Sequence, residues 1–316
     1  MGDHLKLVAG NSNLGLAQEI SDYLDIPLCE AAIDHFPDGE TSVHIRETVR
    51  GEDVFVIQST GPPANENYME LFLIIDALRR ASAKRVTVVM PYFGYARQDR
   101  KFIGRVPISA KLIANFLETA GADRVLTLDL PAGQIQGFFD IPVDNLRIDP
   151  ILAEYFAQVE YMDDGDTVIV APDVGAAKRA SAVSERLKLP YAIVEKARVS
   201  EQTGEVEARH IIGSVEGKRA VIVDDILATG GTVVAATELL IKNGAREVDA
   251  AFSHGIFAGD CLAKIERSSL AEVIVTNTIP VPQGEKITML SVAESFAETI
   301  NRIHEGRSVS ELFPHY

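Results

Sequence analysis

The stretch from Arg219 to Val233 constrains the fold more than any other part of the sequence. Its apolar, β-branched run ends at Val223 and is typical of a strand buried on both faces of a parallel sheet. Two adjacent carboxylates, Asp224 and Asp225, follow the run. A Thr-Gly-Gly-Thr sequence then leads into residues with the mixed apolar and small pattern of a helix packed on a sheet. We therefore predict a strand that breaks at the carboxylates, a short polar loop and a helix.

The polar loop has the composition of an anion site. Gly230 and Gly231 allow close approach of the backbone, Thr229 and Thr232 add hydroxyl donors, and N–H groups at a helix N-terminus face the ligand. Two carboxylates beside such a site imply a ligand that also carries hydroxyls or a metal ion. A sugar phosphate meets both demands, with its phosphate on residues 229–232 and its hydroxyls on the carboxylates. The alternative is a plain acidic turn, since Asp and Gly are common in turns.

The same order of elements recurs along the chain. Apolar strands stop at polar residues or proline at four further places, including Pro91, Asp129 and Asp173. Strands that alternate with helices imply right-handed crossovers and a parallel sheet. We predict an α/β protein of two similar domains, residues 1–149 and 150–316, each a mostly parallel sheet flanked by helices. Ligands of such sheets bind at the carboxyl ends of the strands.

Composition narrows the range of partners. The formal net charge of −16 argues against a nucleic-acid partner, and two distant cysteines, Cys29 and Cys261, indicate neither a disulfide scaffold nor a zinc site. No apolar run approaches the roughly 18 residues that would span a membrane, and no signal-peptide pattern is present. The expected location is the cytoplasm, with no membrane partner.

Two segments in the first half are candidates for a function, and one of them has residues suited to a nucleotide. Residues 92–104 combine aromatic side chains with Arg97, Gln98 and further cations, which could stack a base and neutralise a polyphosphate. An exposed basic loop is the alternative. Asp38, Gly39 and Glu40 form a turn sequence that, taken alone, needs no function.

Three further residues in the second half are candidates for a role in binding or catalysis, namely one carboxylate and two cations. Asp173 follows a strand and could ligate Mg²⁺, which accepts one or two carboxylates plus phosphate oxygens, or it could cap a helix. Lys196 and Arg198 lie at the start of a polar segment, residues 195–207, that we predict to be a long loop. Cations at the base of such a loop could reach a transferring phosphoryl group when the loop closes.

These segments together resemble the ribose-phosphate diphosphokinases, and the similarity runs nearly from end to end. The segment at 224–232 resembles the phosphoribosyl-diphosphate loop that these enzymes share with the type I phosphoribosyltransferases. Two strings are highly specific to the diphosphokinases, Pro91-Tyr-Phe-Gly-Tyr-Ala-Arg-Gln-Asp-Arg100 and Gln134-Ile-Gln-Gly-Phe-Phe139. The resemblance also implies the phosphoribosyltransferase-like form of the α/β fold.

The resemblance implies an enzyme that transfers the diphosphoryl group of Mg·ATP to the 1-hydroxyl of ribose 5-phosphate, giving phosphoribosyl diphosphate and AMP. By position, Lys196 and Arg198 would be catalytic, and Asp173 would serve the Mg²⁺ ion. ATP and ribose 5-phosphate would bind two further sets of residues. The set for ATP is Asp38, Gly39, Glu40, Arg97 and Gln98, and the set for ribose 5-phosphate is Arg198, Asp224, Asp225, Ala228, Thr229, Gly230, Gly231 and Thr232. The family's assembly implies a homo-oligomer of dimers that form a hexamer.

The sequence departs from the family pattern at three places. Pro131 stands where the family typically has a histidine that serves the metal and catalysis, and proline offers no side-chain donor, acceptor or ligand. Ala228 stands where the family often has another carboxylate. The segment at 100–105 is about one residue shorter than in the common bacterial form.

Two other functions remain open at this stage. A catalytically weak or silent homologue could bind nucleotide or sugar phosphate and regulate an active partner, and Pro131 is the main support for that hypothesis. A phosphoribosyltransferase could use the same loop, but the nucleotide-type residues at 92–101 argue against it.

Overall fold

The computed structural model describes residues 4–159, 165–198 and 206–312, with the backbone alone at 196–198 and 206–209. The chain divides into two compact units. The first unit contains the residues up to Leu146, residues 278–280 and the residues from Ser291 onward, and the second contains residues 147–277 and 281–290. The sequence predicted α/β domains, and both units contain parallel strands and helices.

The first unit contains a parallel sheet and a separate hairpin. Its elements are β1 (Leu5–Ala9), α1 (Leu14–Leu24), β2 (Ala31–His35), β3 (Thr41–Ile45), β4 (Asp53–Ile57), α2 (Ala64–Arg80), β5 (Arg85–Met90), α3 (Ser109–Ala120), β6 (Arg124–Leu128), β7 (Val143–Leu146) and α8 (Ala293–Glu305). The five parallel strands lie in the order β1-β4-β5-β6-β7, and β2 pairs antiparallel with β3. All five residues of β4 are buried, as expected of a strand covered on both faces.

The second unit contains a larger, mostly parallel sheet. Its elements are α4 (Asp149–Ala157), β8 (Thr167–Ala171), α5 (Ala177–Leu187), β9 (Tyr191–Arg198), β10 (Val206–Ile212), β11 (Arg219–Leu227), α6 (Gly231–Lys242), β12 (Glu247–Gly255), α7 (Cys261–Arg267), β13 (Val273–Thr276) and β14 (Ile287–Leu290). The seven strands lie in the order β10-β9-β8-β11-β12-β13-β14, and only the β9–β10 pair is antiparallel. The carboxyl ends of β8 and β11 therefore share one edge of the sheet.

Each unit has its own apolar core. In the first, buried side chains of β4, β5 and β6 pack against α2 and α3. In the second, buried side chains of β8, β11 and β12 pack against α6 and α7. The apolar face of α2 that the spacing of Leu71, Ile74 and Leu78 predicts is buried. None of the described helices is long and apolar enough to cross a membrane.

The C-terminal helix, α8, lies in a different unit from the one that the sequence predicted. The sequence assigned it to a domain of residues 150–316, but α8 belongs to the first unit. Arg85 explains the difference, because its guanidinium donates to the Ile303 carbonyl at 3.2 Å and to Asp53 at 2.7 Å. His304 Nδ1 also lies 2.8 Å from Asp53 Oδ2. The contacts of Arg85 with Ile303 and of Asp53 with His304 join residues more than 200 positions apart, which local sequence patterns do not encode.

The predicted loop at 195–207 is also different in the structure. Strand β9 continues to Arg198, and β10 begins at Val206, so the backbone of Lys196 pairs with Ala208. Residues 199–205 lie outside the described part of the chain. The polar composition suggested a loop, but pairing with a neighbouring strand satisfies the backbone groups of a polar edge segment equally well.

Candidate ribose phosphate site

Strand β11 positions the two carboxylates at the edge of the second sheet. The strand does not break at them, as the sequence suggested, but continues to Leu227. On one side β11 pairs with β8 only up to Ile222, while on the other it pairs with β12 as far as Leu227 opposite Gly255. Pairing on that side keeps the backbone extended, and Asp224 and Asp225 therefore lie within the strand where its other neighbour has ended.

The loop after β11 has the conformation that its glycines permit. Gly230 has φ of +76° and directly precedes α6, whose first residue is Gly231. A left-handed conformation is costly for residues with a Cβ atom, so glycine is the natural residue here. Thr229, Gly231 and Thr232 are exposed at the start of the helix. N–H groups in the first turn of a helix have no intrahelical acceptor, which makes this end suitable for an anion.

The loop after β12 donates hydrogen bonds to the loop after β11. Ile256 donates from its backbone N–H to the Leu227 carbonyl at 2.8 Å, and Ala258 donates to the Ala228 carbonyl at 2.9 Å. Cys261 is fully buried, and its sulfur would lie 3.2 Å from a Cβ atom added to Gly230. The sequence contained no specific signal for this support, which depends on the register between β11 and β12.

The carboxylates are mostly buried and share one cation. Arg179 Nη1 lies 3.7 Å from Asp224 Oδ1, and Arg179 Nη2 lies 3.8 Å from Asp225 Oδ2. The exposed fractions of the side chains are 20% for Asp224, 19% for Asp225 and 16% for Arg179. Sequence reasoning missed Arg179, because an arginine inside a helix has no distinguishing motif.

Burial controls the charge of Asp224. Burial, reinforced by the charge of Asp225, raises the pKa of Asp224 from 3.8 to about 7, although Arg179 acts in the opposite direction. The Asp225 backbone N–H donates to Asp224 Oδ1 at 2.9 Å and also favours the ionised form. The site thus holds a carboxylate whose ionisation is costly until a ligand supplies donors.

Asp224→Asn should stabilise the ligand-free protein above neutral pH. Because the folded-state pKa of Asp224 lies above the unfolded value, the folded state binds more protons between about pH 4 and 7, and wild-type stability falls as pH rises through that window. Asparagine carries no charge and removes this dependence. We expect the melting temperature of the variant to exceed that of the wild type by about 2–6 °C at pH 8.

The difference should shrink towards pH 4, where the wild-type carboxyl is protonated in the folded state. Thermal melts of both proteins across pH 4–8, without ligands, measure it. Asp140→Asn, the same change at an exposed position, is the matched control. Parallel stability curves for wild type and Asp224→Asn would contradict the prediction.

Asp173 lies between β8 and α5, on the same edge of the sheet. Its side chain accepts the Ala176 N–H at 3.2 Å and caps a short 3-10 turn, Val174–Ala176, that leads into α5. The carboxylate is half-buried. Among the described residues, no group of three or more His, Cys, Asp or Glu side chains could hold a metal ion by itself. A single carboxylate suits Mg²⁺, which commonly keeps its waters and binds substrate phosphates with one or two protein ligands.

The predicted catalytic cations are described only by their backbone. Lys196 and Arg198 lie near the end of β9, where they pair with Ala208 and Val206 of β10. Their side chains lie outside the described part of the structure.

The residues predicted to bind ATP lie in the first unit. Asp38, Gly39 and Glu40 form the exposed turn between β2 and β3, where Gly39 has φ of +92° and Asp38 Oδ1 accepts the Glu40 N–H at 3.2 Å. Arg97 and Gln98 are also exposed, and Gln98 Oε1 accepts from the Ser109 hydroxyl at the start of α3. Within the described residues no hydrogen bond or ion pair joins these two segments.

Two of the positions that depart from the family pattern, Pro131 and Ala228, have ordinary surroundings. Pro131 is half-buried after β6, and the neighbouring Leu130 N–H donates to Asn145 Oδ1 at 3.0 Å. Ala228 contributes its carbonyl to the support described above. The nearby His254 is only 2% exposed, within β12 opposite Ile226.

Comparisons with known proteins identify the family. Residues 5–121 match the N-terminal domain of ribose phosphate pyrophosphokinase, and residues 205–314 match the phosphoribosyl synthetase-associated domain. Ribose-phosphate pyrophosphokinases from Halalkalibacterium halodurans and Agrobacterium fabrum are 51% and 50% identical to this chain. The alignments cover 98% of this chain and 98% and 100% of these relatives.

A solved structure agrees with this result. The crystal structure of phosphoribosylpyrophosphate synthetase from Mycobacterium smegmatis matches with a TM-score of 0.90 and 39% identity, over 96% of this chain and all of that chain. The resemblance inferred from the sequence, the α/β fold and the expected type of enzyme are thereby confirmed. On the strength of two matching domains and relatives about half identical along their whole length, the chain belongs to the ribose-phosphate pyrophosphokinase family.

Proposed function

We propose that this protein transfers the diphosphoryl group of ATP to the 1-hydroxyl of ribose 5-phosphate, forming phosphoribosyl diphosphate and releasing AMP. In this reaction a bond forms between the 1-hydroxyl oxygen and the β-phosphorus of ATP. The bond between that phosphorus and the oxygen bridging to the α-phosphate breaks, this oxygen leaves as part of AMP, and the proton of the 1-hydroxyl is released to solvent. The observation that carries the proposal is the carboxylate pair of β11, which is followed within six residues by a glycine loop and the N-terminus of α6. Relatives named for this activity, at about half identity over nearly the whole chain, do not favour a silent regulatory homologue.

The two parts of this site suit the two ends of ribose 5-phosphate. The 5-phosphate would bind residues 228–232, where the exposed Thr229 and Thr232 hydroxyls and the first N–H groups of α6 are available as donors. The ribose hydroxyls would donate to Asp224 and Asp225. A diol donating to two ionised carboxylates makes charge-assisted hydrogen bonds, which are stronger than neutral ones.

The remaining substrate groups are assigned to residues that match the family by position. Asp38, Gly39, Glu40, Arg97 and Gln98 would bind ATP, and all five are exposed. Asp173 would hold Mg²⁺ together with phosphate oxygens, and the ion when bound offsets phosphate charge. Lys196 and Arg198 would stabilise the negative charge on the moving group, with Arg198 also contacting ribose 5-phosphate.

Association of identical chains is part of the proposal, as dimers that assemble to a hexamer. One face of α2 and α3 exposes large apolar side chains, with Met69 54%, Leu112 48% and Phe116 47% exposed. Phe72 of α2 packs edge-on against Phe116 of α3, with ring centroids 5.9 Å apart, so the apolar surface is continuous between the helices. Exposed apolar patches of this kind commonly mark protein interfaces. We place the protein in the cytoplasm, as its sequence suggested.

Purified protein with Mg·ATP should release AMP only when ribose 5-phosphate is added. We further expect Pro131→His to lower the Mg²⁺ concentration needed for half-maximal activity by about tenfold, because an imidazole can serve a metal site and proline cannot. AMP release measured at varied Mg²⁺ concentration tests both statements. Pro107→His, an exposed proline of the same unit, is the matched control.

Each contrary result has its own meaning. A silent wild type and an active Pro131→His variant would identify a binding homologue that has lost one ligand. Silence of both would favour a regulatory partner. Formation of nucleotide from a free base and phosphoribosyl diphosphate would instead identify a phosphoribosyltransferase.

A further inference from the structure

Arg179 is placed where one side chain reaches both carboxylates of β11. It lies in the first turns of α5, six residues after Asp173, and its two terminal nitrogens each face a different carboxylate, at 3.7 and 3.8 Å. A guanidinium is planar and always charged, so it can face two acceptors at once. With its side chain 16% exposed, Arg179 is held by packing and is not a mobile surface cation.

The distances indicate an electrostatic role. Both are longer than a hydrogen bond, so the guanidinium does not occupy the carboxylate lone pairs through these contacts. At this range in a partly buried site, unit charges still attract each other appreciably, because the surroundings screen them less than water does. Arg179 can therefore stabilise the charge of Asp224 and Asp225 and leave their oxygens available to a ligand.

We infer that Arg179 is a positioning residue for ribose 5-phosphate, which keeps Asp224 and Asp225 ionised and oriented as a pair of acceptors for the ribose hydroxyls. This inference rests on the proposed assignment of those carboxylates to the ribose. A protonated carboxyl would offer one oxygen as a donor instead, and two like charges without a cation favour protonation of one of them.

The positive charge of Arg179 matters because other groups near Asp224 already disfavour its ionised form. Burial and the neighbouring Asp225 already bring the pKa of Asp224 to about 7 with Arg179 present. Without Arg179, a larger fraction of the carboxyl would be protonated at neutral pH. The adjoining elements carry other titratable groups. Near the carboxylates these are Asp173 at the end of β8, Lys178 beside Arg179 on α5, and His254 on β12 opposite Ile226. Glu247 and Asp249 lie at the opposite end of β12, where both pair with Arg219.

Arg179→Gln tests the inference. We expect the KM for ribose 5-phosphate at pH 7 to rise at least tenfold, the KM for ATP to change less than twofold, and the ribose 5-phosphate Kd from calorimetry to rise in parallel. The defect should decrease towards pH 9, where the carboxylates ionise without help. Arg179→Lys, which keeps the charge, should recover most of the affinity. Lys178→Gln removes the same charge from the adjacent, exposed position of α5 and should leave both KM values unchanged.

Contrary results separate the inference from the proposed function. If Asp224→Asn combined with Asp225→Asn weakens ribose 5-phosphate binding but Arg179→Gln does not, the ribose assignment stands and the role of Arg179 is wrong. If neither weakens binding, the ribose assignment itself fails. An equal rise of both KM values, or a lower melting temperature with unchanged affinity, would show a merely structural arginine. Arg179→Met keeps the apolar stem and replaces the glutamine variant if that variant does not fold.

Discussion

Lys196→Ala should lower kcat for AMP formation by about 1,000-fold. Transfer of a diphosphoryl group moves negative charge between oxygens, and the protein contributes mainly by positioning and by charges aimed at the moving group. Removal of one such donor typically costs a hundredfold to a thousandfold, and an ammonium contributes a full charge. Because the interaction strengthens in the transition state, the KM values for ATP and ribose 5-phosphate should change by less than about threefold.

Steady-state kinetics with each substrate varied in turn provides the measurement. Lys242→Ala, the same change at an exposed position in the last turn of α6, should retain wild-type rates. Arg198→Ala should have a different effect, because Arg198 is also assigned to ribose 5-phosphate. It should lower kcat and raise the KM for ribose 5-phosphate together. Retention of a tenth or more of wild-type activity in Lys196→Ala would exclude the lysine as the principal charge on the moving group.

Gly230→Ala should raise the KM for ribose 5-phosphate by about 10–100-fold. The substitution meets two obstacles, each of which would shift the loop. A φ of +76° costs an L-residue roughly 1–2 kcal/mol. The new Cβ atom would also lie 3.2 Å from the buried Cys261 sulfur, closer than an ordinary contact. Displacement of the backbone here would move the helix N-terminus away from the phosphate position.

A second substitution separates these two causes. Cys261→Ala removes the sulfur, so the double variant should recover the steric part of the loss and retain the part that comes from φ. Gly231→Ala is the control for folding. A Cβ atom added to Gly231 would meet nothing within 4 Å, and Gly231, unlike Gly230, does not have a left-handed backbone conformation. Its melting temperature should stay within about 1 °C of the wild type. An unchanged KM in Gly230→Ala would show that the loop conformation does not govern ribose 5-phosphate binding.

Local sequence was sufficient for most of the secondary structure and for the candidate ribose phosphate loop. The β-branched run before Asp224 forms a buried strand because side chains of that shape pack well in a covered sheet. Gly230 adopts the left-handed conformation because it has no Cβ atom, and the helix follows directly. These are properties of adjacent residues, and they appear in the order of the chain.

Contacts between distant residues decided the rest. Helix α8 belongs to the first unit because Arg85 and Asp53 bind its last turn, and β11 continues past its carboxylates because β12 pairs with it as far as Leu227. Arg179 meets the carboxylates only because β8 and β11 are adjacent, which brings the start of α5 to the end of β11. Such pairings depend on which strands become neighbours, and no periodicity in a single segment specifies that choice. The sequence alone therefore determined most of the elements and predicted the kind of ligand, while the tertiary structure determined which charges surround the candidate site.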